Sequence, residues 1–136
     1  MNYRLKVFAK SDFKKEEHSF FVLVGDIGGT STRLAVFGIN RHIKPVFLLE
    51  FESKKIKKFY EAMNETLKFA HEKYGIEISK ACFSCAGPVN AERTHCKLTN
   101  LKWAVDVHET LKNSLLGSIV LLNDFEAAGF GINHLS

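Results

Sequence analysis

The chain lacks most of the features that would take it away from an ordinary globular domain. Only two prolines occur in 136 residues, and 46% of the residues are hydrophobic. That composition excludes a disordered or low-complexity chain and predicts one domain with a substantial core. No apolar run approaches the roughly 20 residues that span a bilayer, so no membrane partner is expected. The first 18 residues are charged and have no uninterrupted apolar stretch, so they do not read as a signal peptide. Cysteine is scarce and odd in number: Cys82, Cys85 and Cys96. This argues against an extracellular disulfide framework and for a reduced, cytoplasmic compartment. Cys82 and Cys85 form a C-x-x-C pair with His95-Cys96 downstream. However, Ala81 to Ala86 reads as a buried strand, where positions three apart point to opposite faces and cannot grip one zinc ion. The three thiols are therefore expected as core residues. The net charge is +4, but acids are interspersed with the bases. The densest basic cluster, Lys54 to Lys58, lacks the stacking aromatics of a single-strand groove, so no nucleic-acid partner is expected.

Two common phosphate loops are also missing. No glycine is followed by Lys-Ser or Lys-Thr, which excludes a P-loop. A dinucleotide fingerprint needs a third glycine and a helix after the turn, whereas Ser31 to Phe37 is β-branched and apolar and reads as a strand. What is present is Val24-Gly-Asp-Ile-Gly-Gly-Thr-Ser-Thr-Arg33, an acid two positions before a glycine pair, between two strand-like runs. The glycines are expected where the chain turns sharply and leaves backbone N–H groups uncovered for anionic oxygens. Asp26 at the mouth of that turn is an oxygen ligand suited to Mg2+, held directly or through water beside substrate phosphates.

Along the chain, residues 1–19 read as a loose extension or an extra edge strand. Phe20 to Val24, Leu34 to Phe37 and Ile43 to Phe51 supply three strands before any helix. Ile56, Phe59, Tyr60, Met63, Leu67, Ala70 and Tyr74 then recur at helical spacing, with Ser53 near the start and Gly75 as the stop signal. Ala81 to Cys85 reads as a buried strand ending in Ala86-Gly-Pro-Val89, and a short strand is expected near Cys96 to Thr99. Asp106 to Leu116 reads as a second helix, with Asp106 as N-cap, Glu109 at the capping-box position, and Val107, Leu111 and Leu115 facing inward. Ser118 to Leu122 is an apolar strand delivering Asn123 and Asp124 to its carboxyl end, and Phe125 to Phe130 begins another helix. The order β-β-β-α-β-α-β-α predicts an α/β domain with helices on a mixed sheet, matching the ribonuclease H-like core. Ligands of open α/β sheets gather at the carboxyl ends of strands, and Asp26, Gly87 and Asp124 all lie at such ends.

With those residues assembled, the chain resembles the N-terminal domain of the bacterial-type glucokinase family, within the sugar kinase, Hsp70 and actin superfamily. Four segments carry the resemblance: Val24 to Ala35, Cys85-Ala-Gly-Pro-Val89, Leu98-Thr-Asn-Leu-Lys-Trp103 and Leu121-Leu-Asn-Asp-Phe-Glu-Ala-Ala128. Their joint order and spacing is more specific than the first motif alone. The resemblance implies an actin-like ATPase fold and ATP-dependent phosphorylation of a hexose, glucose at its 6-hydroxyl. It makes Asp124 the general base and places Asn123, Asp124 and Asn100 on the sugar. Gly28, Gly29, Thr30, Ser31 and Gly87 would meet the phosphates of ATP, and Asp26 the Mg2+. Phosphoryl transfer needs these parts: a positioned hydroxyl, a metal that offsets charge, and donors on the transferring oxygens. Arg33 has two readings, at the site or on the surface. Ser31 stands where the family often has Asn.

The family continues into a second domain that carries adenosine contacts. Residues 20–136 are accordingly expected to be the N-terminal lobe, with residues 1–19 as an extension and the other lobe supplied by a longer chain or in trans. Alone, this chain is expected to fold without meaningful kinase activity, and its exposed cleft face to favour homo-oligomers. The competing functions are a non-catalytic sugar- or phosphate-sensing module and an actin-like nucleotide switch. Asn123-Asp124 and Leu98 to Trp103 favour the kinase over the switch, and no DNA-binding helix pair precedes residue 20.

Overall fold

Two long antiparallel pairings organise the chain, and a computed structural model describes them within residues 1–124. Strands β2 (Phe20–Ile27) and β3 (Ser31–Ile39) pair from Phe20↔Ile39 to Ile27↔Thr32, and β3 pairs in turn with β4 (Ile43–Glu52). All three strands are rich in β-branched and aromatic residues, which suit a pleated and half-buried surface. A short edge strand, β1 (Arg4–Val7), runs antiparallel to β4. On the other side, β5 (Lys80–Cys85) and β8 (Ser118–Asn123) run parallel to β2. The sheet order is β1-β4-β3-β2-β5-β8. A separate two-stranded ribbon joins β6 (His95–Cys96) to β7 (Val105–Asp106).

Paired residues share a face, so the register divides the sheet into a covered side and an open one. Leu23, Ile27, Leu34, Val36, Phe47, Leu49, Phe51, Ala81, Phe83, Cys85 and Leu121 point to the covered side and are buried. Helix α1 (Phe59–Tyr74) lies there through Phe59, Ala62, Met63, Thr66 and Ala70. Phe59 is the hub of that packing. Its ring meets Phe83 edge-on at 5.0 Å and stacks on Trp103 at 5.8 Å. Residues on the open side, such as Phe20, Val24 and Val120, are 37–53% exposed.

The helix limits differ from those the sequence suggests. Helix α1 starts at Phe59 rather than near Ile56, and Ser53 sits in a 3-10 turn, Ser53–Lys55. The lysines at 54, 55, 57 and 58 would crowd positive charge onto a helix N-terminus, where it is unfavourable. Gly75 ends the helix as expected, at φ 66°, with its N–H reaching the Ala70 and His71 carbonyls. Helix α2 (Val107–Lys112) begins as expected: the Asp106 carboxylate accepts the Glu109 N–H at 2.9 Å. It does not continue to Leu116. The Asn113 amide takes the Glu109 carbonyl at 2.8 Å and the Ser114 hydroxyl takes that of Thr110 at 2.7 Å, so side chains satisfy its last turn. Leu115, expected to face inward, is 93% exposed, and Leu116 is buried instead. The helix expected from Phe125 to Phe130 lies outside the described residues.

Cysteine pairing also departs from expectation. Cys85 and Cys96, read as separate core thiols, are joined by a disulfide, and both are fully buried. Three-residue spacing puts Cys82 on the face opposite Cys85, so the C-x-x-C pair is not the one that joins. Burial pushes the Cys82 thiol above its usual pKa. Among the described residues, no helix is long and apolar enough to cross a membrane.

Candidate active site

The site is built around the Gly28–Thr30 turn between β2 and β3. The turn is closed by the Gly28 N–H on the Ser31 carbonyl at 3.0 Å. Neither glycine has a positive φ, contrary to a turn that needs left-handed backbone. The Asn100 amide leans over the turn instead: a Cβ at Gly29 would lie 2.7 Å from its Nδ2, so a larger residue there would displace that side chain. Among the described residues, no acceptor meets the Gly29 or Thr30 N–H. Those donors are therefore available to an anion.

A buried hydroxyl relay holds the turn from beneath. Ser53, which is fully buried, donates its hydroxyl to the Gly28 carbonyl at 2.6 Å, and its N–H donates to the Thr30 carbonyl at 2.9 Å. A serine has one hydroxyl proton, so the 2.8 Å contact between Thr32 Oγ1 and Ser53 Oγ is donated by Thr32. The Trp103 indole N–H closes the frame on the Ser53 carbonyl at 2.8 Å. Trp103 ends the segment that brings Asn100, so one tryptophan ties two site loops together.

On the open face, the register lines up one row across all six strands: Arg4, Glu50, Arg33, Asp26, Ser84 and Leu122. Charges alternate along it. Arg33 Nε donates to Glu50 Oε2 at 2.6 Å, Arg4 reaches Glu50 Oε1 at 3.5 Å, and Arg33 Nη1 stands 3.9 Å from Asp26 Oδ2. The Arg33 hydrogen bond holds the Glu50 carboxyl below its ordinary pKa, and the bond to Glu50 raises Arg33. Arg33 thus lies on the open face beside Asp26. The Asp26 side chain is 61% exposed at the end of β2.

Ser84 continues the row toward β8, where its hydroxyl donates to Asp124 Oδ1 at 2.8 Å. Asp26, Ser84 and Asp124 therefore stand side by side at the carboxyl ends of three mutually parallel strands. Asn123 pairs with Cys85 and so belongs to the opposite, half-buried side from Asp124. Gly87 follows β5; a Cβ there would meet the Lys97 carbonyl at 3.2 Å and Cys96 Sγ at 3.5 Å. The Cys85–Cys96 disulfide thus fastens the Gly87 turn to the chain that leads to Asn100.

Ser53, Thr32 and Ser84 were not singled out in the sequence as site residues. Alternation along Lys80–Cys85 puts Ser84 on the face opposite the buried Phe83 and Cys85, and the register with β2 makes that the face of Asp26. Nothing local distinguishes Ser53 from a helix-start serine.

The family model for Glucokinase matches residues 23–136. The chain belongs to the glucokinase family. The glucokinase of Synechocystis sp. is 36% identical over 119 residues, covering 81% of this chain and 33% of that protein. The glucokinase of Trichormus variabilis is 34% identical, covering 85% of this chain and 33% of its own length. Among solved structures, the glucokinase of an Antarctic psychrotroph superposes with a TM-score of 0.61 at 30% identity, over 77% of this chain and 32% of that one. The Balamuthia mandrillaris glucokinase, solved in complex with glucose, superposes at 0.69 with 22% identity, over 83% and 32%, and shows the shared fold. The mixed α/β architecture is that of actin-like ATPase sugar kinases, as the element order predicts. This glucokinase-family chain spans about a third of the length of the curated relatives it matches.

Proposed function

We propose that the protein carrying this chain phosphorylates glucose at its 6-hydroxyl, with ATP as donor and Mg2+ as metal, in the cytoplasm. Residues 20–136 form the lobe that bears the base, and residues 1–19 are an extension of it. The reading rests on one observation above all: Asp26, Ser84 and Asp124 share one sheet face at adjacent strand ends, near a turn whose Gly29 and Thr30 N–H groups are unclaimed among the described residues.

The residues present fit the groups they would hold. Gly28, Gly29, Thr30 and Ser31 form the phosphate-facing turn, with Gly87 behind it on the β5 exit. The exposed Asp26 carboxylate offers oxygen ligands that would hold Mg2+ beside the substrate phosphates, directly or through water. When bound, ATP supplies the phosphoryl group and Mg2+ offsets its charge. Asp124 orients the sugar hydroxyl and accepts its proton, while Asn100, and Asn123 from the strand end on the other side of the sheet, bind neighbouring hydroxyls. Orientation contributes more than basicity, because holding a hydroxyl in line turns a bimolecular encounter into a near-unimolecular step. The remaining two thirds of the relatives' length is the proposed source of the opposite cleft wall.

A coupled glucose 6-phosphate assay on the full-length protein tests this function. Turnover with glucose, ATP and Mg2+ is expected. Full-length protein that binds glucose without turning it over would favour a sensing module instead.

A further inference from the structure

We infer that Ser84 is a positioning residue for Asp124, fixing the orientation in which its carboxylate faces the sugar. The inference rests on the proposed role of Asp124 and goes beyond it to a residue that the four family-like segments do not include. Ser84 lies on β5 between Asp26 of β2 and Leu122 of β8, and its register puts it on their face. Its single hydroxyl proton goes to Asp124 Oδ1 at 2.8 Å. An aspartate can turn about two side-chain bonds, and the outer of these has a broad torsional well. The Ser84 bond removes that freedom. With Oδ1 engaged by Ser84, the carboxylate's remaining acceptor sites serve the sugar hydroxyl in the proposed role.

The same position explains why a hydroxyl suits this site. Neighbouring strands lie about 4.8 Å apart, so Asp26 and Asp124, two strands apart, are separated by a distance on the order of 10 Å with Ser84 between them. A basic side chain at residue 84 would pair with both acids and draw each from its task. An apolar one would leave Asp124 free to rotate. A short neutral donor avoids both outcomes. Ser84 is half-buried, whereas Asp124 and the bond between them are exposed, so the acid stays open to substrate.

The test uses the full-length kinase with four variants: Ser84→Ala, Ser84→Thr, Asp124→Ala and the double Ser84→Ala/Asp124→Ala. Loss of a hydrogen bond to a charged group predicts a fall in kcat of about 10-fold or more for Ser84→Ala. Its KM for glucose should stay within about threefold and its thermal midpoint should be retained, as for loss of a group that acts in the transition state. Ser84→Thr keeps the donor and should recover kcat to within about threefold of the parent. Adding Ser84→Ala to Asp124→Ala should cost nothing further, because the serine acts only through the acid. A parental kcat for Ser84→Ala, an equal loss with and without Asp124, or a Ser84→Thr as slow as Ser84→Ala would each overturn the inference. If Asp124→Ala itself turns over normally, the proposed role of Asp124 fails and this inference falls with it. If Asp124→Ala is inactive while Ser84→Ala is unimpaired, only the role of Ser84 fails.

Discussion

Replacing Ser53 by alanine should loosen the glycine turn from beneath, and the size of the effect follows from two hydrogen bonds. The Ser53 hydroxyl donates to the Gly28 carbonyl at 2.6 Å and accepts from Thr32 at 2.8 Å, with both side chains fully buried. Its backbone bonds to Thr30 and Trp103 do not depend on the hydroxyl and should survive. Ser53→Ala therefore leaves one carbonyl and one buried hydroxyl unpaired. At roughly 1–2 kcal/mol for each, the loss is about 2–4 kcal/mol. With a urea dependence of about 2 kcal/mol per molar, the midpoint should fall by about 1–2 M. Trp103 is the sole tryptophan and donates to the Ser53 carbonyl, so its fluorescence reports the unfolding of this frame. Adding Thr32→Val removes the orphaned hydroxyl, so the double variant should be no less stable than Ser53→Ala alone. A loss under about 0.5 kcal/mol, or losses that simply add, would refute the relay.

Three further outcomes follow from the geometry. Asp26→Asn in the full-length protein should raise the Mg2+ requirement and lower turnover while glucose binding without nucleotide stays near normal; unchanged Mg2+ dependence would remove Asp26 from metal binding. Gly25→Ala places a Cβ 2.5 Å from Cδ1 of the buried Phe83 ring and 2.9 Å from Leu34, so urea unfolding should show a loss of about 1–3 kcal/mol; parental stability would mean that the ring can move aside. The carboxyl of Glu50 is held below its ordinary pKa by Arg33, so its stabilising effect is present above the unfolded value and is lost as the pH falls through the folded one. The small, salt-sensitive advantage over Glu50→Gln should therefore be present at neutral pH and decline as the pH falls below the ordinary glutamate range. An advantage that grows on acidification would contradict this.

The order of strands and helices was legible because each element has its own periodicity. Helix α1 shows an apolar stripe and a glycine stop, and the strands carry β-branched runs bounded by turn residues. Limits were less legible where tertiary contacts outbid local signals. Ser53 looks like a helix start but is claimed by Gly28 and Thr32 across 25 and 21 positions. Leu115 fits a helical stripe, yet side-chain bonds from Asn113 and Ser114 end the helix first. The Cys85–Cys96 pairing depends on how β5 passes the β6–β7 ribbon, which no cysteine spacing reveals. In the site, Asp26 and Asp124 stand out because acids at the ends of apolar strands are conspicuous. Ser84 is not, since its meaning appears only when the register puts it between them.

The most direct test of the central claim is the steady-state comparison of the full-length protein with its Asp124→Ala variant in a coupled glucose 6-phosphate assay. If Asp124 accepts and orients the sugar hydroxyl, kcat should fall by about three orders of magnitude or more, with a much smaller change in glucose affinity. Near-parental kcat in that variant would contradict the account and place the base elsewhere.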